Sequence, residues 1–441
     1  MKTRLRWLPL LALLALLHTQ PTSADAEAIE PGSAEAAASA EASAPEEFEP
    51  VNLIELAKER RKRSSFYPIS NRVSRYLAAA SEAMAEDDND GATSLLERLN
   101  PERLNPYERA YVFRLMAYAY YTTAEYAAAI EYFDKVLDQE AVSVTDEARV
   151  RFNIVQLNAA LQDWREVVRT TNVWFHFAFE PNPLAFYLLA IAHYQLEEIE
   201  DAIIYAGTAI DLSPEPQESW LQLLAALYVQ NQDYASAAPV FEELVMRFPK
   251  KQYWVQLSLI YGARDNFRHS LAVQQIAYLQ GFLTKDDELR RFARSYLYAS
   301  LPHQAALILD EGLRDGSIDP ESDAYTLLAN SWIQAREFER SLEPLMKAAL
   351  LADNGNLYVR LGQVHMQREE WPAAVNLLHQ AIDKGGLDSP GMAQLLLGIS
   401  YYNNDRVDSA RSSFAHARKH EKTRKQASDW IAHIDNESRS G

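Results

Sequence analysis

The sequence predicts an all-α solenoid of about nine to ten helix-turn-helix units, closed by a C-terminal capping helix. Three stretches repeat one pattern of small and large apolar residues, beginning at Tyr187-Leu188-Leu189-Ala190, Leu223-Leu224-Ala225 and Leu361-Gly362. In each stretch the small residue is followed twelve residues later by an alanine, then by an apolar and a second small residue. Helical periodicity at this spacing predicts paired helices, with the small residues where the two helices cross.

Aligning the chain on these small residues gives ten candidate units. Their first helices are predicted to start at Ser74, Ala110, Ala148, Pro183, Glu218, Lys251, Asp286, Ser322, Gly355 and Gly391. The pattern is the tetratricopeptide (TPR) signature, whose unit is about 34 residues long, so the longer spacings predict small turn insertions. TPR units are expected to stack into a right-handed superhelix whose first helices line a concave groove. Arg424 to Ile434 reads as the amphipathic helix that caps the open end.

The N-terminus, residues 1–26, is predicted to be a cleavable signal peptide. Basic residues between Lys2 and Arg6 precede an apolar run from Leu8 to Leu17, and Ala24-Asp25-Ala26 offers a cleavage site. The run is about ten residues long, and a bilayer-spanning helix needs roughly 20. We therefore expect no transmembrane segment after cleavage. Because the chain contains no cysteine, it has no lipid-anchor cysteine and no disulfide, and we expect it in a periplasm.

Residues 27–65 are expected to form a linker that precedes the solenoid, which is predicted for residues 66–437. The linker begins with a stretch rich in Ala, Glu, Ser and Pro, which buries too little apolar surface to fold. It ends with the basic run Arg60–Arg63. This run is either the solvated face of a short helix, the favoured interpretation, or a docking patch for an acidic partner or membrane headgroups.

Composition argues against two classes of function. The net charge of −19 disfavours nucleic-acid binding, which needs clustered Lys and Arg against phosphates. The chain also lacks a phosphate-binding glycine loop, a nucleophile elbow and zinc-binding His spacing, so we expect neither enzymatic activity nor a cofactor. The sequence therefore indicates a protein that works by binding other proteins or peptides.

Two patterns raise the question of metal binding. Glu86 to Gly91 followed by Glu97 matches a calcium loop except for Glu at the first position. The segment lies where the first unit must turn, so a solvated acidic turn is the favoured interpretation and a calcium-binding periplasmic protein is the alternative. His193 and His365 occupy a repeat position normally held by Tyr, which predicts packed helix-interface residues rather than ligands.

The predicted partner-binding groove is rich in Tyr and Arg, the residue types that dominate binding hot spots. The residues expected to point into it are Arg114, Tyr118, Tyr121, Arg149, Phe152, Tyr187, Ile191, Tyr194, Arg290 and Arg294. Arginines in the groove of an acidic protein suggest an acidic or C-terminal-carboxylate ligand. The alternative is that each Arg pairs with a neighbouring acidic residue on the surface.

Four sequence blocks are not dictated by TPR packing. They are Phe248–Leu257, Gln280–Lys285, Leu361–Val364 with Glu370-Trp371, and Lys384–Leu387 with Pro390-Gly391. From about Tyr76 to Ile434 the chain resembles the periplasmic TPR proteins of gammaproteobacteria that are encoded beside TonB, ExbB and ExbD. The resemblance implies an accessory role in energy-coupled uptake across the outer membrane, typically of iron complexes, with TonB, ExbB or ExbD as partners. It implies no ligand residues, and an envelope-assembly scaffold or a ligand-binding periplasmic protein remain alternatives.

Overall fold

The computed structural model describes residues 68–440, together with residues 55, 56 and 58. These residues belong to one compact unit of the chain. The predicted signal peptide, nearly all of the predicted linker and the basic run Arg60–Arg63 lie outside the described residues. Within the described part there is no strand, and no helix has the length and apolar character that crossing a membrane requires.

Twenty-one α-helices follow one another along the described chain. They are α1 Asn71–Ala85, α2 Asn89–Glu97, α3 Pro106–Thr122, α4 Tyr126–Leu137, α5 Val144–Ala160, α6 Trp164–Phe175, α7 Pro183–Gln195, α8 Ile199–Asp211, α9 Glu218–Gln230, α10 Tyr234–Arg247, α11 Lys251–Ala263, α12 Phe267–Leu279, α13 Asp286–Tyr298, α14 Pro302–Asp315, α15 Ser322–Gln334, α16 Phe338–Leu351, α17 Asn356–Gln367, α18 Trp371–Lys384, α19 Pro390–Tyr402, α20 Val407–Ala417 and α21 Arg424–Ser440. Two short 3₁₀ turns, Pro101–Arg103 and Glu421–Thr423, precede α3 and α21.

The helices form ten consecutive pairs, and each helix packs against the next one in the chain. This confirms the predicted all-α solenoid and its C-terminal helix. Five predicted starts are the first residues of their helices, and the other five lie within four residues of the observed start. The largest differences are in α3 and α5, where Asn105 and Ser143 cap the helix by accepting hydrogen bonds from backbone N–H groups. These caps begin both helices one turn before the small residue used for alignment.

Small residues lie where the two helices of a pair cross, as the repeat pattern predicts. Ala190 and Ala202 are fully buried in one apolar cluster, and Ala225 and Ala237 share another. A Cβ atom on Gly362 would lie 2.9 Å from Cγ of Leu378, which is closer than side chains pack. Close helix approach is therefore what requires a small residue at these positions.

Every turn within a pair contains one non-glycine residue in the left-handed region. These residues each lie two positions before the second helix, and they are Asp87, Ala124, Gln162, Glu197, Gln232, Asp265, Ser300, Arg336, Glu369 and Asp405. The next residue donates its N–H to the carbonyl five residues earlier at 2.9–3.0 Å, as Glu125 does to Tyr120. This is the Schellman pattern, which usually takes glycine because glycine has no Cβ penalty there.

We expect Ala124→Gly to raise the free energy of unfolding by about 1 kcal/mol, because alanine pays a steric cost at φ 61° that glycine does not. Chemical denaturation of both proteins measures the change. Ala78→Gly is the matched control, since Ala78 is exposed in the middle of α1, where glycine costs about 1 kcal/mol. A loss of stability in both variants would contradict the strain at Ala124.

A buried carboxylate ties the first pair to α3. Glu108 is 5% exposed and accepts the N–H of Ser70 at 2.8 Å and the N–H of Asn105 at 3.1 Å. Burial alone raises the pKa of Glu108, but the hydrogen bonds from Ser70 and Asn105 outweigh it and leave the pKa below its ordinary value of 4.5. The carboxylate is therefore ionised at neutral pH and acts as a double helix cap.

We expect Glu108→Gln to destabilise the protein by about 1–2 kcal/mol at pH 7, because the amide NH₂ cannot accept a backbone N–H. Since the folded-state pKa is lowered, this stabilisation is present above pH 4.5 and is lost as pH falls through the folded value. The difference in melting temperature between the two proteins should therefore shrink below pH 4.5. A difference that stays constant down to pH 3 would show that ionisation of Glu108 is not its source.

Candidate functional site

Consecutive first helices are joined along one side by contacts between residues about one repeat apart. Arg114 on α3 pairs with Asp146 on α5 at 3.5 Å, and Asn153 on α5 donates to the Tyr118 hydroxyl at 3.2 Å. Further along, Lys251 on α11 pairs with Glu288 on α13 at 2.6 Å. The face predicted to bind a partner is therefore also where neighbouring units hold each other.

The residues predicted to point into the groove differ widely in exposure. Tyr121, Arg149 and Arg294 are exposed. Arg114, Tyr118, Phe152, Tyr194 and Arg290 are half-buried. Tyr187 and Ile191 are buried. The three exposed side chains lie on α3, α5 and α13 and are the ones of this set that a partner can reach without rearrangement.

Two of the predicted aromatic groove residues are packing residues. Tyr187 stacks on Trp220 of the next first helix with ring centres 5.2 Å apart, and burial raises its pKa. Phe152 packs on Trp174 at 5.1 Å. For Tyr187, the expectation of an accessible groove position needs correction, because Trp220 covers the ring. Nothing in the local sequence of α7 shows that a tryptophan follows one unit later in register.

Most of the predicted groove arginines already have an acidic partner. Arg114 and Arg149 both form ion pairs with Asp146, and the Arg149 pair is 2.9 Å long. Arg290 forms an ion pair with Asp286 one turn earlier. Their surroundings match the alternative in which each Arg balances a neighbouring acid. Arg294 is different, because it forms no ion pair with any described residue.

A polar cluster between α9 and α11 was missed by the sequence reasoning. Glu218 accepts from Lys250 at 2.6 and 2.7 Å and from the Tyr253 hydroxyl, which also contacts Gln222. Burial raises the pKa of Glu218, but the hydrogen bonds from Lys250 and Tyr253 outweigh it and leave the pKa below 4.5. Glu218 and Lys250 are 32 positions apart, about one repeat, so opposite charges at repeat spacing are the signal that finds this cluster.

The two repeat histidines share one arrangement. His193 Nδ1 lies 2.6 Å from Glu198 Oε2, and His365 Nδ1 lies 2.6 Å from Glu370 Oε2, across the turn of their units. With Asp201, His193 and Glu198 form the one group in the described part whose ligand atoms are close enough for a metal ion. Metal-binding His normally donates its other ring N–H, but Nε2 of His193 is buried without a partner. The geometry therefore fits a hydrogen bond that secures the turn, with His193 stacked on Tyr205 at 5.0 Å.

The acidic segment Glu86–Gly91 forms the turn between α1 and α2. Asp87 is its left-handed residue, and Asp88 caps α2 by accepting the N–H of Gly91 at 2.8 Å. Glu97 is the last residue of α2. This placement agrees with the turn interpretation, while calcium binding by the segment stays a prediction.

Comparison with known protein families identifies repeats in two parts of the chain. The family model described as tetratricopeptide repeat matches residues 187–252 and 359–422, which cover most of α7 and of α17 and all of α8–α10 and α18–α20. These two stretches are tetratricopeptide repeats. TPR domains bind protein or peptide partners, and their fold is typically a non-catalytic scaffold. No curated protein sequence matches the chain.

Several solved structures are similar to parts of the chain. A tetratricopeptide repeat protein from Parabacteroides merdae ATCC 43184 is 15% identical, with 66% of this chain and 99% of that chain covered and a TM-score of 0.33. MamA from Desulfovibrio magneticus RS-1 is 19% identical over 41% of this chain and 96% of its own, with a TM-score of 0.34. YrrB, described as a TPR protein with an unusual peptide-binding site, is 16% identical. The match covers 38% of this chain and 83% of YrrB, with a TM-score of 0.32.

Proposed function

We propose that this TPR protein is a non-enzymatic scaffold that binds a protein partner through the face of its first helices. The observation that carries the proposal is Arg294, an exposed cation on α13 that no described residue pairs with. Tyr121 and Arg149 are exposed on earlier first helices. Exposed Tyr and Arg spread over several units suit an extended peptide or helix with acidic groups.

The partner we propose is a component of a TonB-type energy-transducing complex, namely TonB, ExbB or ExbD, in an accessory role in uptake across the outer membrane. Sequence blocks such as Phe248–Leu257 and Lys384–Leu387 support this narrower role. The signal-peptide pattern at the N-terminus supports a periplasmic location.

In-cell crosslinking followed by affinity capture from detergent-solubilised envelopes of the native organism tests the partner. We expect mass spectrometry to recover TonB, ExbB or ExbD crosslinked to first helices such as α3, α5 and α13. Recovery of envelope-assembly machinery at the same helices would keep the scaffold and overturn the TonB role. Crosslinks confined to second helices would overturn the proposed binding face.

Arg294→Glu tests the face itself. We expect this variant to reduce partner capture by about tenfold, because it reverses a charge available to an acidic partner. Arg268→Glu is the matched control, since Arg268 is an exposed cation on the second helix α12, where a glutamate in the first turn is compatible with the helix dipole. Arg290 and Arg291 are unsuitable, because a glutamate at either position would lie one turn from Asp286 or Asp287 and destabilise α13. Equal capture by both variants at unchanged thermal stability would remove Arg294 from the site.

A further inference from the structure

A small cleft lies between α4, α5 and α6, which belong to two neighbouring units. It encloses about 180 Å³. Its polar lining consists of Asp134 from α4, Arg151 and Asn158 from α5, and Glu166, Arg169 and Thr170 from α6. Aliphatic side chains from all three helices complete the wall. A cleft with apolar walls and a few converging polar groups is the usual form of a ligand site.

The two arginines of the cleft are already balanced. Arg151 donates to Glu147 Oε1 through two nitrogens at 2.6 and 2.9 Å. Arg169 donates to both carboxylate oxygens of Glu166 at 2.7–3.0 Å. Asp134 is then the one charged group of the lining that makes no ion pair within the described part of the chain. Its carboxylate leaves the cleft with an unbalanced negative charge.

A side-chain amide faces the same space. Asn158 is only 6% exposed, and its side chain makes no hydrogen bond with any described residue. Thr170 differs, because its hydroxyl donates to the backbone carbonyl of Glu166 within α6. The polar atoms of Asn158 are not among the buried atoms that lack a partner, so they meet the solvent of the cleft, where a bound group can replace water.

The charges around Asp134 favour a cationic ligand in the cleft. Burial raises the pKa of Asp134, and the nearby charge of Asp138 raises it further, while Arg169 and Arg151 lower it less. Asp134 nevertheless remains exposed, so its carboxylate is hydrated and lacks a cationic partner rather than water. A ligand that brings a positive charge and N–H donors suits the unpaired carboxylate of Asp134 and the side-chain carbonyl of Asn158.

We propose that the cleft between α4, α5 and α6 binds an alkylammonium group, whose N–H groups donate to the Asp134 carboxylate and the Asn158 side-chain carbonyl. The ammonium group has three donors and no acceptor. Its alkyl chain lies against Ile130, Ile154 and Val173, and the volume suits a chain of four to five carbons. The group is presented by a lysine side chain of a partner or by a free aliphatic amine. The lysine source rests on the proposed scaffold function, and the free amine does not.

Titration calorimetry of the full chain with n-pentylammonium tests the shared chemistry. We expect saturable binding of n-pentylammonium at low salt, none of n-pentanol, and at least about tenfold weaker amine binding in Asp134→Asn. Asp138→Asn is the matched control, one turn further along and outside the cleft lining. Equal binding of the amine to wild type and Asp134→Asn would overturn the site.

Two blocked peptides distinguish the sources. Acetyl-Gly-Lys-Gly-amide carries the ammonium group, and the norleucine peptide of the same length lacks it. Binding of the lysine peptide that depends on Asp134 supports a partner lysine, and binding of n-pentylammonium alone supports a free amine. No saturable binding of either overturns the proposal. Partner capture retained in Asp134→Asn would leave the scaffold function intact when this site fails.

Circular dichroism and thermal melting establish that each variant is folded. Asn158→Ala is a second variant that removes the amide without touching the charge. It should weaken n-pentylammonium binding while leaving the preference over n-pentanol. Unchanged affinity in Asn158→Ala, with the protein folded, would remove Asn158 from the site and with it the proposed geometry.

Discussion

Gly398→Ala should lower the free energy of unfolding by about 2–3 kcal/mol, although alanine is normally the better helix residue. A Cβ atom on Gly398, within α19, would lie 2.5 Å from the Phe414 ring. Phe414 has no room to move, because it is fully buried and stacks on Trp430 of α21 with ring centres 5.4 Å apart. The clash therefore pushes α20 away from α19 and disturbs the packing of α20 against α21.

Gly207→Ala is the matched control, because nothing lies within 4 Å of the Cβ that it adds in α8. We expect Gly207→Ala to raise stability by about 0.5–1 kcal/mol. Chemical denaturation of the two variants should therefore give changes of opposite sign. A gain of stability in both would show that α19 and α20 separate at little cost, against the close crossing described above.

Trp332→Ala should destabilise the protein by about 3–5 kcal/mol, because it leaves a large cavity in the middle of the chain. Trp332 is 2% exposed and belongs to an apolar cluster drawn from α12–α15, with Phe292 and Leu309 among its fully buried members. Arg340 also covers its ring, with the guanidinium carbon 3.7 Å from the ring centre. The lost stability therefore comes mainly from apolar contacts between neighbouring units.

A break between units has a further consequence in a repeat protein. Stability is close to a sum of unit terms and nearest-neighbour interface terms, so a weakened interface uncouples the two sides. We expect thermal unfolding of Trp332→Ala to separate into two transitions, as calorimetry would show. Tyr298→Ala, at a residue 69% exposed, should change stability by less than about 0.5 kcal/mol. A single transition shifted as a whole would contradict the uncoupling.

Much of the fold follows from sequence because each unit repeats the same local requirements. Small residues such as Ala190 and Gly362 recur at one helix-pair spacing. These features act within a single unit, so periodicity alone finds them. The left-handed turn residues escaped prediction, because none of the ten is glycine and their side chains carry no common signal.

The candidate binding face was less predictable. Helical periodicity placed Tyr187, Arg290 and Arg294 on one face, but it does not show what the next unit brings against them. Trp220 covers Tyr187, and Asp286 pairs with Arg290, whereas Arg294 remains exposed. The cleft at Asp134 and Asn158 escaped prediction for the same reason, since its walls come from three helices of two units.

The sequence by itself determined the helical class, the tandem pairing, the approximate start of every unit and the small residues at the crossings. All of these depend on residues within about one unit, where spacing along the chain corresponds to position on a helix. Tertiary structure alone decided which side chains stay accessible, because accessibility depends on residues about one repeat away. It also decided which charges are balanced, as the exposed Arg294 and the unpaired Asp134 show.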